Sequence, residues 1–521
     1  MKRIIVTVLC LVAALGCTNL DEVVYSKITK ENFFTSEEQF ARYSARAYSS
    51  LQHWGTEQSY WTFDMEITDE ICTPFNPNGG WGNANNGRYV EVQTHAVQAS
   101  NDLLAHAWDY CFNGIAACND VLDTFAEVKK DFDAKSRVIA EVKVLRAYYY
   151  FMAICYWQYV PFATTKNIEG YPEKKDRQFI YDFVEKEIGD NRDFLADEPT
   201  TLYYGRVTKG VADFILAKLY LNAEFLTGTE QWAKAEAACK RIMTANKGAS
   251  YYKIIDNYKD LFAINNELCP EGILAIPYST VYTTSDHYAF LIYISTLPVN
   301  LCEPLGIPAD AWDGLVGQPD FMDSYEAGDE RKAWTWMYGQ MKNLSNKDLT
   351  VLIPNPDDPE KKIEVPYIIE TDFPESTFFT TQRTTLQGAR IGKWDYQSDG
   401  SLTGGQVGME NDFYLMRYAD VILMYAEAMI RQNKASEVVG NADLDKIRTR
   451  AGLEPFTADD LTLEAIYQER SHELALEGWH RQDMIRFGKY LAPWWNKAEK
   501  TETDYNLPIP RSVVAANPNL K

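Results

Sequence analysis

Residues 413–490 constrain this chain more than any other stretch. They read FYLMRYADVILMYAEAMIRQN, then LDKIRTRAG, then IYQERSHELALEGWHRQDMIRFGKY. In the first piece Leu415, Tyr418, Ala419, Ile422, Tyr425, Ala426, Met429 and Ile430 recur at three- and four-residue steps, which predicts one helix with an apolar stripe. Ala419, Ala426 and Ala428 keep that helix thin beside its large rings, so a neighbouring helix can approach closely. In the third piece Glu469, Arg470, Glu473, Glu477, Arg481, Asp483 and Arg486 alternate sign along a helix that also carries Tyr467, Leu474 and Ile485. Ion pairs within and between helices satisfy such a pattern. We therefore read Arg417, Asp420, Glu427, Arg448, Arg450, Glu469, Arg470 and Arg481 as helix-packing ion pairs and not as a catalytic set.

The stretches RYADVILMYAEAMI, IRTRAG and ERSHELALEGWHRQDMIRFGKY, in this order and spacing, resemble the C-terminal signature of the SusD/RagB family. Further elements fit. Phe33-Phe34 precedes an acidic helix start, EVKVLRAYYYFMAICYWQYVPF resembles the family's second signature, and the tail YNLPIPRSVVAANPNLK resembles its closing element. The resemblance implies a mainly α fold: a tetratricopeptide-like helical-repeat superhelix with a large irregular, loop-rich layer and few short strands. It also implies a surface glycan-binding lipoprotein that works over an outer-membrane transporter.

The leader agrees with such a location. Lys2 and Arg3 precede an apolar run over residues 4–15, then Gly16 and Cys17, a secretory signal too short to span a bilayer. It resembles a bacterial lipoprotein signal, which implies removal of residues 1–17 up to the cysteine and acylation of Cys17; release after secretion is the alternative. The remaining body, 18–521, is expected to be one SusD-like unit. The formal charge of -23 becomes -25 when Lys2 and Arg3 leave, and a surface so acidic repels nucleic-acid phosphates. Of nine cysteines, seven remain after Cys10 and Cys17 are set aside, and their spacing shows no disulfide framework or zinc site.

Helical periodicity places the scaffold mainly in 35–52, 101–250 and 410–490. Thr35-Ser36-Glu37-Glu38 reads as a capping-box start, and Asp133 as the cap of a long helix through Tyr156. Two helices joined by Gly228-Thr229-Glu230-Gln231 have the length of a tetratricopeptide unit. Two regions, 53–95 and 251–409, lack sustained periodicity and read as irregular, ligand-facing chain with short β-like runs near 273–277, 350–353 and 367–369.

Catalytic motifs are not found. His472-Glu473 begins an HExxH, but Leu476 stands where its second histidine belongs. The cluster Asp64, Glu66, Asp69 and Glu70 offers carboxylates whose separation the sequence does not give. No catalytic residue, metal ligand or cofactor is assigned. Sugar binding asks for less: an exposed ring against the C–H face of the sugar, with amide or guanidinium groups for its hydroxyls. Trp81 with Asn83, Asn85, Asn86 and Arg88 has that composition in the first irregular region, and Tyr288, Trp312, Trp334 and Trp336 complete it from the second. Three stacks of roughly 1–2 kcal/mol each correspond to millimolar to tens-of-micromolar dissociation constants, weak enough for release to a transporter. The expected partners are an oligosaccharide or polysaccharide, a SusC-like TonB-dependent transporter and the outer membrane through lipid on Cys17. Peptide import of the RagB kind and a protein-binding helical scaffold are the alternatives.

Overall fold

The computed structural model describes residues 34, 36–55, 59–75, 87–129, 134–283, 290–307, 311–379, 383–396 and 408–521. The leader, Cys17, and Asp133 lie outside them.

Helix α1 (Glu37–Gln52) starts on a capping box in which Ser36 accepts from the Gln39 N–H and the Gln39 side chain accepts from the Ser36 N–H. Its Phe40, Ser44, Ala47 and Leu51 are buried at helical spacing. Short helices α2 (Tyr60–Glu66) and α3 (Arg88–Gln93) follow. Asn101 caps α4 (Asp102–Glu127) by accepting from the Leu103 and Leu104 N–H groups. Helix α5 (Lys135–Tyr156) is buried on every side from Val144 onward. The body continues with α6 (Arg177–Asn191), capped by Asp176, and with α7 (Lys209–Leu221) and α8 (Trp232–Met243). Each helix packs on the next in space: α1 on α4 and α5, α4 on α5, α5 on α6, α6 on α7, and α7 on α8. This ladder of neighbours passes to the C-terminal signature, because α8 packs on α9 (Tyr418–Arg431). No helix among the described residues is long and apolar enough to cross a membrane.

The signature itself is built differently from one striped helix followed by one charged helix. Leu415 belongs to a strand that precedes α9. Strand β2 (Gly272–Ile276) pairs antiparallel with β8 (Phe413–Arg417), and helix begins only at Tyr418. The strand is buried throughout and so is nearly all of α9, so no polar face marks where one period gives way to the other. The charged piece is broken as well. Helix α10 (Ala442–Thr449) leads to α11 (Leu463–Glu473), and the chain then turns through Leu476 and Gly478, both at positive φ, into α12 (His480–Arg486). Gly478 is required there, since a Cβ would lie 2.3 Å from the Trp54 ring.

The charges of the signature meet at the centre of the molecule. Arg417, Arg450, Arg331 and Lys393 interlock with Glu271, Glu473, Glu477, Glu469 and Asp329, all of them closed to solvent. Beside them Asp420 bridges Lys218 and Arg470, while Asp483 joins Arg470 to Arg486 and Glu427 joins Arg486 to Arg431. Arg448 pairs with Glu469. Arg481 differs from its expected role. It donates to the backbone oxygens of Cys155 and Tyr505 and lies over the rings of Tyr156 and Tyr490, so it staples three segments and, among the described residues, forms no ion pair with a carboxylate. Burial alone would raise the Glu473 carboxyl, but Arg450, Arg417 and Arg331 outweigh it and hold the group at about 2.

The second layer contains small antiparallel pairs: β1 (Ile71–Cys72) with β3 (Val316–Gly317), β4 (Trp336–Met337) with β7 (Arg390–Ile391), and the hairpin of β5 (Thr350–Asn355) with β6 (Asp358–Pro366). Its buried rings, among them Tyr278, Phe290, Tyr293 and Trp394, belong to the same hydrophobic core as the helices. The layer is thus irregular in backbone but packed like the scaffold.

Candidate ligand-binding face

The two irregular regions are tied to each other by backbone. The Gly55 N–H donates to the Tyr278 hydroxyl at 3.0 Å, and Leu291 N–H donates to the Gly55 carbonyl at 2.9 Å. Phe75 N–H donates to Thr377 O at 3.0 Å, and Gln318 N–H to Glu70 O at 3.1 Å. Arg383 reaches both the carbonyl and the carboxylate of Asp313 at 2.7 Å. These are residues that bracket the segments carrying most of the expected sugar contacts. Trp81, Asn83, Asn85, Asn86 and Tyr288 themselves lie outside the described residues.

One ring on this edge stands out into solvent. Tyr282 is 88 % exposed and its neighbour Val281 is 69 % exposed. A hydroxyl-built turn holds them there. The Thr283 hydroxyl accepts from Ser279 N–H and donates to Ser279 O, both at 2.7 Å, and Ser279 Oγ accepts from Val281 N–H at 3.1 Å. Thr280 N–H donates to Glu410 Oε1 at 2.9 Å, which fixes the turn to the chain just before β8. A ring held out in this way costs little ordering entropy when a ligand stacks on it. The sequence signal was present in the hydroxyl residues Ser279, Thr280 and Thr283 around Tyr282.

Two expected contacts are corrected. Arg88 opens α3 from within: it is buried, pairs with Asp102 at 2.7 Å and bonds the Tyr89 hydroxyl at 3.3 Å, so its donors are turned inward. Trp336 is 2 % exposed; β4 places it among Phe321, Tyr325 and the partner strand β7, with its indole N–H donated to Tyr325. Tyr278 and Tyr293 are core for the same reason. Trp334 is half-buried and lies against Tyr258, with ring centroids 5.6 Å apart. Trp312 is half-buried too, its backbone N–H donated to Ile294 O at 2.8 Å.

The acidic cluster is internal at Asp64, Glu66 and Glu70, with Asp69 partly exposed at its edge. Glu66 accepts from Thr73, Glu70 accepts from Leu476 N–H at 2.7 Å, and Asp69 meets His480 Nε2 at 2.7 Å. Burial pushes Glu66 up to about 8 and Glu70 up to about 7. For His480 burial acts downward, but Asp69 and Glu70 prevail and hold it at about 9. These groups bind α2 and the turn after it to α12, beneath the surface. His472 likewise lies against Tyr325, with its Nε2 3.0 Å from the Ser324 hydroxyl. Among the described residues no group of His, Cys, Asp and Glu could hold a metal ion.

Fold and face together define a mainly α protein: a paired-helix body with a closed ionic centre carries an irregular layer that holds a ring out to solvent. The chain belongs to the SusD family, which residues 309–519 match, while residues 19–221 match a SusD-like family described as starch-binding associating with outer membrane. It is similar to the starch-binding protein SusD of Bacteroides thetaiotaomicron, 26% identical over 425 residues that cover 73% of this chain and 71% of that protein. Among solved structures it is similar to a laminarin-binding SusD-like protein, with a TM-score of 0.71, 21% identity and coverage of 92% of this chain and 98% of the other. Surface glycan-binding protein A of B. thetaiotaomicron in complex with laminarihexaose gives a TM-score of 0.72 at 18% identity, covering 94% and 99%.

Proposed function

We propose that this protein captures an oligosaccharide at the cell surface and delivers it to a SusC-like TonB-dependent outer-membrane transporter, with lipid on Cys17 as its anchor. The observation that carries the reading is Tyr282, 88 % exposed on a hydrogen-bonded turn at the edge where the two irregular regions join. A phenol ring presented to water has an apolar face for the C–H groups of a sugar and a hydroxyl for its rim. Trp81, Asn83, Asn85 and Tyr288 are proposed to extend that surface, and half-exposed Trp312 and Trp334 to border it. The names of the similar proteins, which speak of starch, laminarin and laminarihexaose, support the choice of carbohydrate.

Isothermal titration against a panel of neutral oligosaccharides tests the reading. Binding by the parent and weaker binding by Tyr282→Ala and Trp81→Ala are expected; parent-like affinity in both variants overturns the site. Cys17→Ala is expected to move the protein from the membrane to the soluble fraction, and co-purification with a barrel transporter to identify the partner.

A further inference from the structure

A concavity on the scaffold side is lined by none of the residues proposed above. It has a volume of about 380 Å³ and is bounded by the connection between α6 and α7, the segment after α8 and the outer surface of the β2–β8 pair. Small-molecule sites occupy roughly 300–1,000 Å³. Its lining is chemically unusual for this chain. Tyr203, Tyr204, Tyr251, Tyr252 and Tyr414 contribute to it together with threonines, and among the described residues that line it there is no Asp, Glu, Lys or Arg, although these make up 24% of the sequence. The adjoining hollow beyond Tyr252 is the opposite, with Arg192, Asp197, Lys209, Asp213 and Arg241 in its wall.

The walls are held rigidly. Tyr414 accepts from Cys269 N–H at 3.0 Å and donates to Asn266 O, and its ring lies so close over Gly272 that a Cβ there would sit 2.1 Å away. Tyr204 donates to Asp412. At the mouth, Leu268 is 49 % exposed and sits at φ +58°, a left-handed conformation that leucine rarely adopts. Such strain persists only where the surroundings impose it, and it gathers at ligand sites. Leu268 sits in the turn closed by Cys269 N–H donating to Asn266 O at 3.3 Å, and the Asn266 side chain anchors that turn to Leu261 O and Asp412 O at 2.7 and 2.9 Å. Tyr251 is half-exposed inside the rim.

We infer that this cleft is a second subsite for a neutral saccharide, with Tyr251 and Leu268 against the C–H face of a sugar ring and tyrosine and threonine hydroxyls toward its rim. An uncharged lining excludes selection for phosphate, carboxylate or ammonium groups, since each would lose hydration there without an opposite charge in return. Rings and neutral hydroxyls are what a polyol requires. The inference shares its ligand class with the proposed function but not its residues.

Saturation-transfer NMR of the purified protein with D-glucose, maltohexaose and laminarihexaose tests it in the Trp81→Ala/Tyr282→Ala background, which removes two rings of the loop site. Transfer to at least one of the three is expected to persist there and to fall at least fivefold on adding Tyr251→Ala or, separately, Leu268→Asn. Asparagine tolerates the left-handed backbone, so that variant keeps the fold while removing the apolar mouth. Absence of transfer in that background, or retention of it after either further substitution, overturns the second subsite. Loss of transfer in the Trp81→Ala/Tyr282→Ala background leaves the proposed function standing, whereas transfer unchanged there and governed only by Tyr251 and Leu268 would displace the loop site instead. A glucose signal equal to that of the oligomers would assign the cleft to free monosaccharide, and an oligomer preference to a chain end.

Discussion

Arg417 donates through Nε and Nη2 to the two carboxylate oxygens of Glu477, at 2.6 and 2.8 Å, and neither side chain reaches solvent. The same guanidinium also meets Glu271 and Glu473, so one cation, at the junction of β8 and α9, faces three acids from two other parts of the chain. Removing it leaves buried carboxylates without their partner. Arg417→Met is expected to destabilise the fold by about 3–5 kcal/mol, read by urea unfolding. Loss below about 1 kcal/mol would show that the centre is not held by this pair.

The buried ionic groups impose a pH window. Glu473, at about 2 in the folded protein, lies below the unfolded carboxyl near 4.5, so its stabilisation is present above about pH 4.5 and is lost as pH falls toward 2. His480 has the opposite sign. Held at about 9 against about 6.5 unfolded, it contributes fully below about pH 6.5 and up to about 3 kcal/mol is lost as pH rises through 9. Glu66, at about 8 against about 4.5 unfolded, adds loss of the same sign that runs from about pH 4.5 up through 8. Unfolding curves between pH 6 and 10 are expected to show declining stability, with a shallower decline in His480→Gln. An unchanged slope in that variant would remove His480 as its source.

Tyr282→Ala is expected to separate binding from folding. The side chain is 88 % exposed, so its truncation should change stability by less than about 0.5 kcal/mol. Loss of one stack of about 1–2 kcal/mol should weaken oligosaccharide affinity roughly 5- to 30-fold. Calorimetric titration and thermal unfolding of the same preparation measure both.

Gly478→Ala places a Cβ 2.3 Å from Trp54 at a residue whose φ is +86°. Overpacking and backbone strain add, and a loss of at least about 2 kcal/mol is expected. Denaturant midpoints of the variant measure it, and a parent-like midpoint would mean that the turn between α11 and α12 relaxes freely.

Much of the scaffold was legible before any coordinates. The capping residue Ser36 and the local pairs Glu427–Arg431 and Asp483–Arg486 act over three or four positions, a range within which sequence spacing and spatial proximity are nearly the same thing, whereas the alternating charges of residues 413–490 announced ion pairing without naming partners such as Asp420 for Arg470. The strand ahead of α9 was not legible, because Phe413 to Arg417 is buried on both faces and shows no alternation. Neither was the break at Leu476, which its packing beside Glu70 and Trp61 stabilises from more than four hundred positions away.

The sequence by itself determined the family, the helical body and the ion-paired character of its centre, since each is written in local period and in matched charge. Which rings face water was decided only by the tertiary structure. Trp336 and Tyr282 look alike as aromatic residues in an irregular region, yet one is sealed by β7 and Phe321 while the other is held out by three hydroxyl residues and Glu410. Exposure of a side chain depends on which distant segment comes to lie over it, and no spacing rule within a loop carries that information.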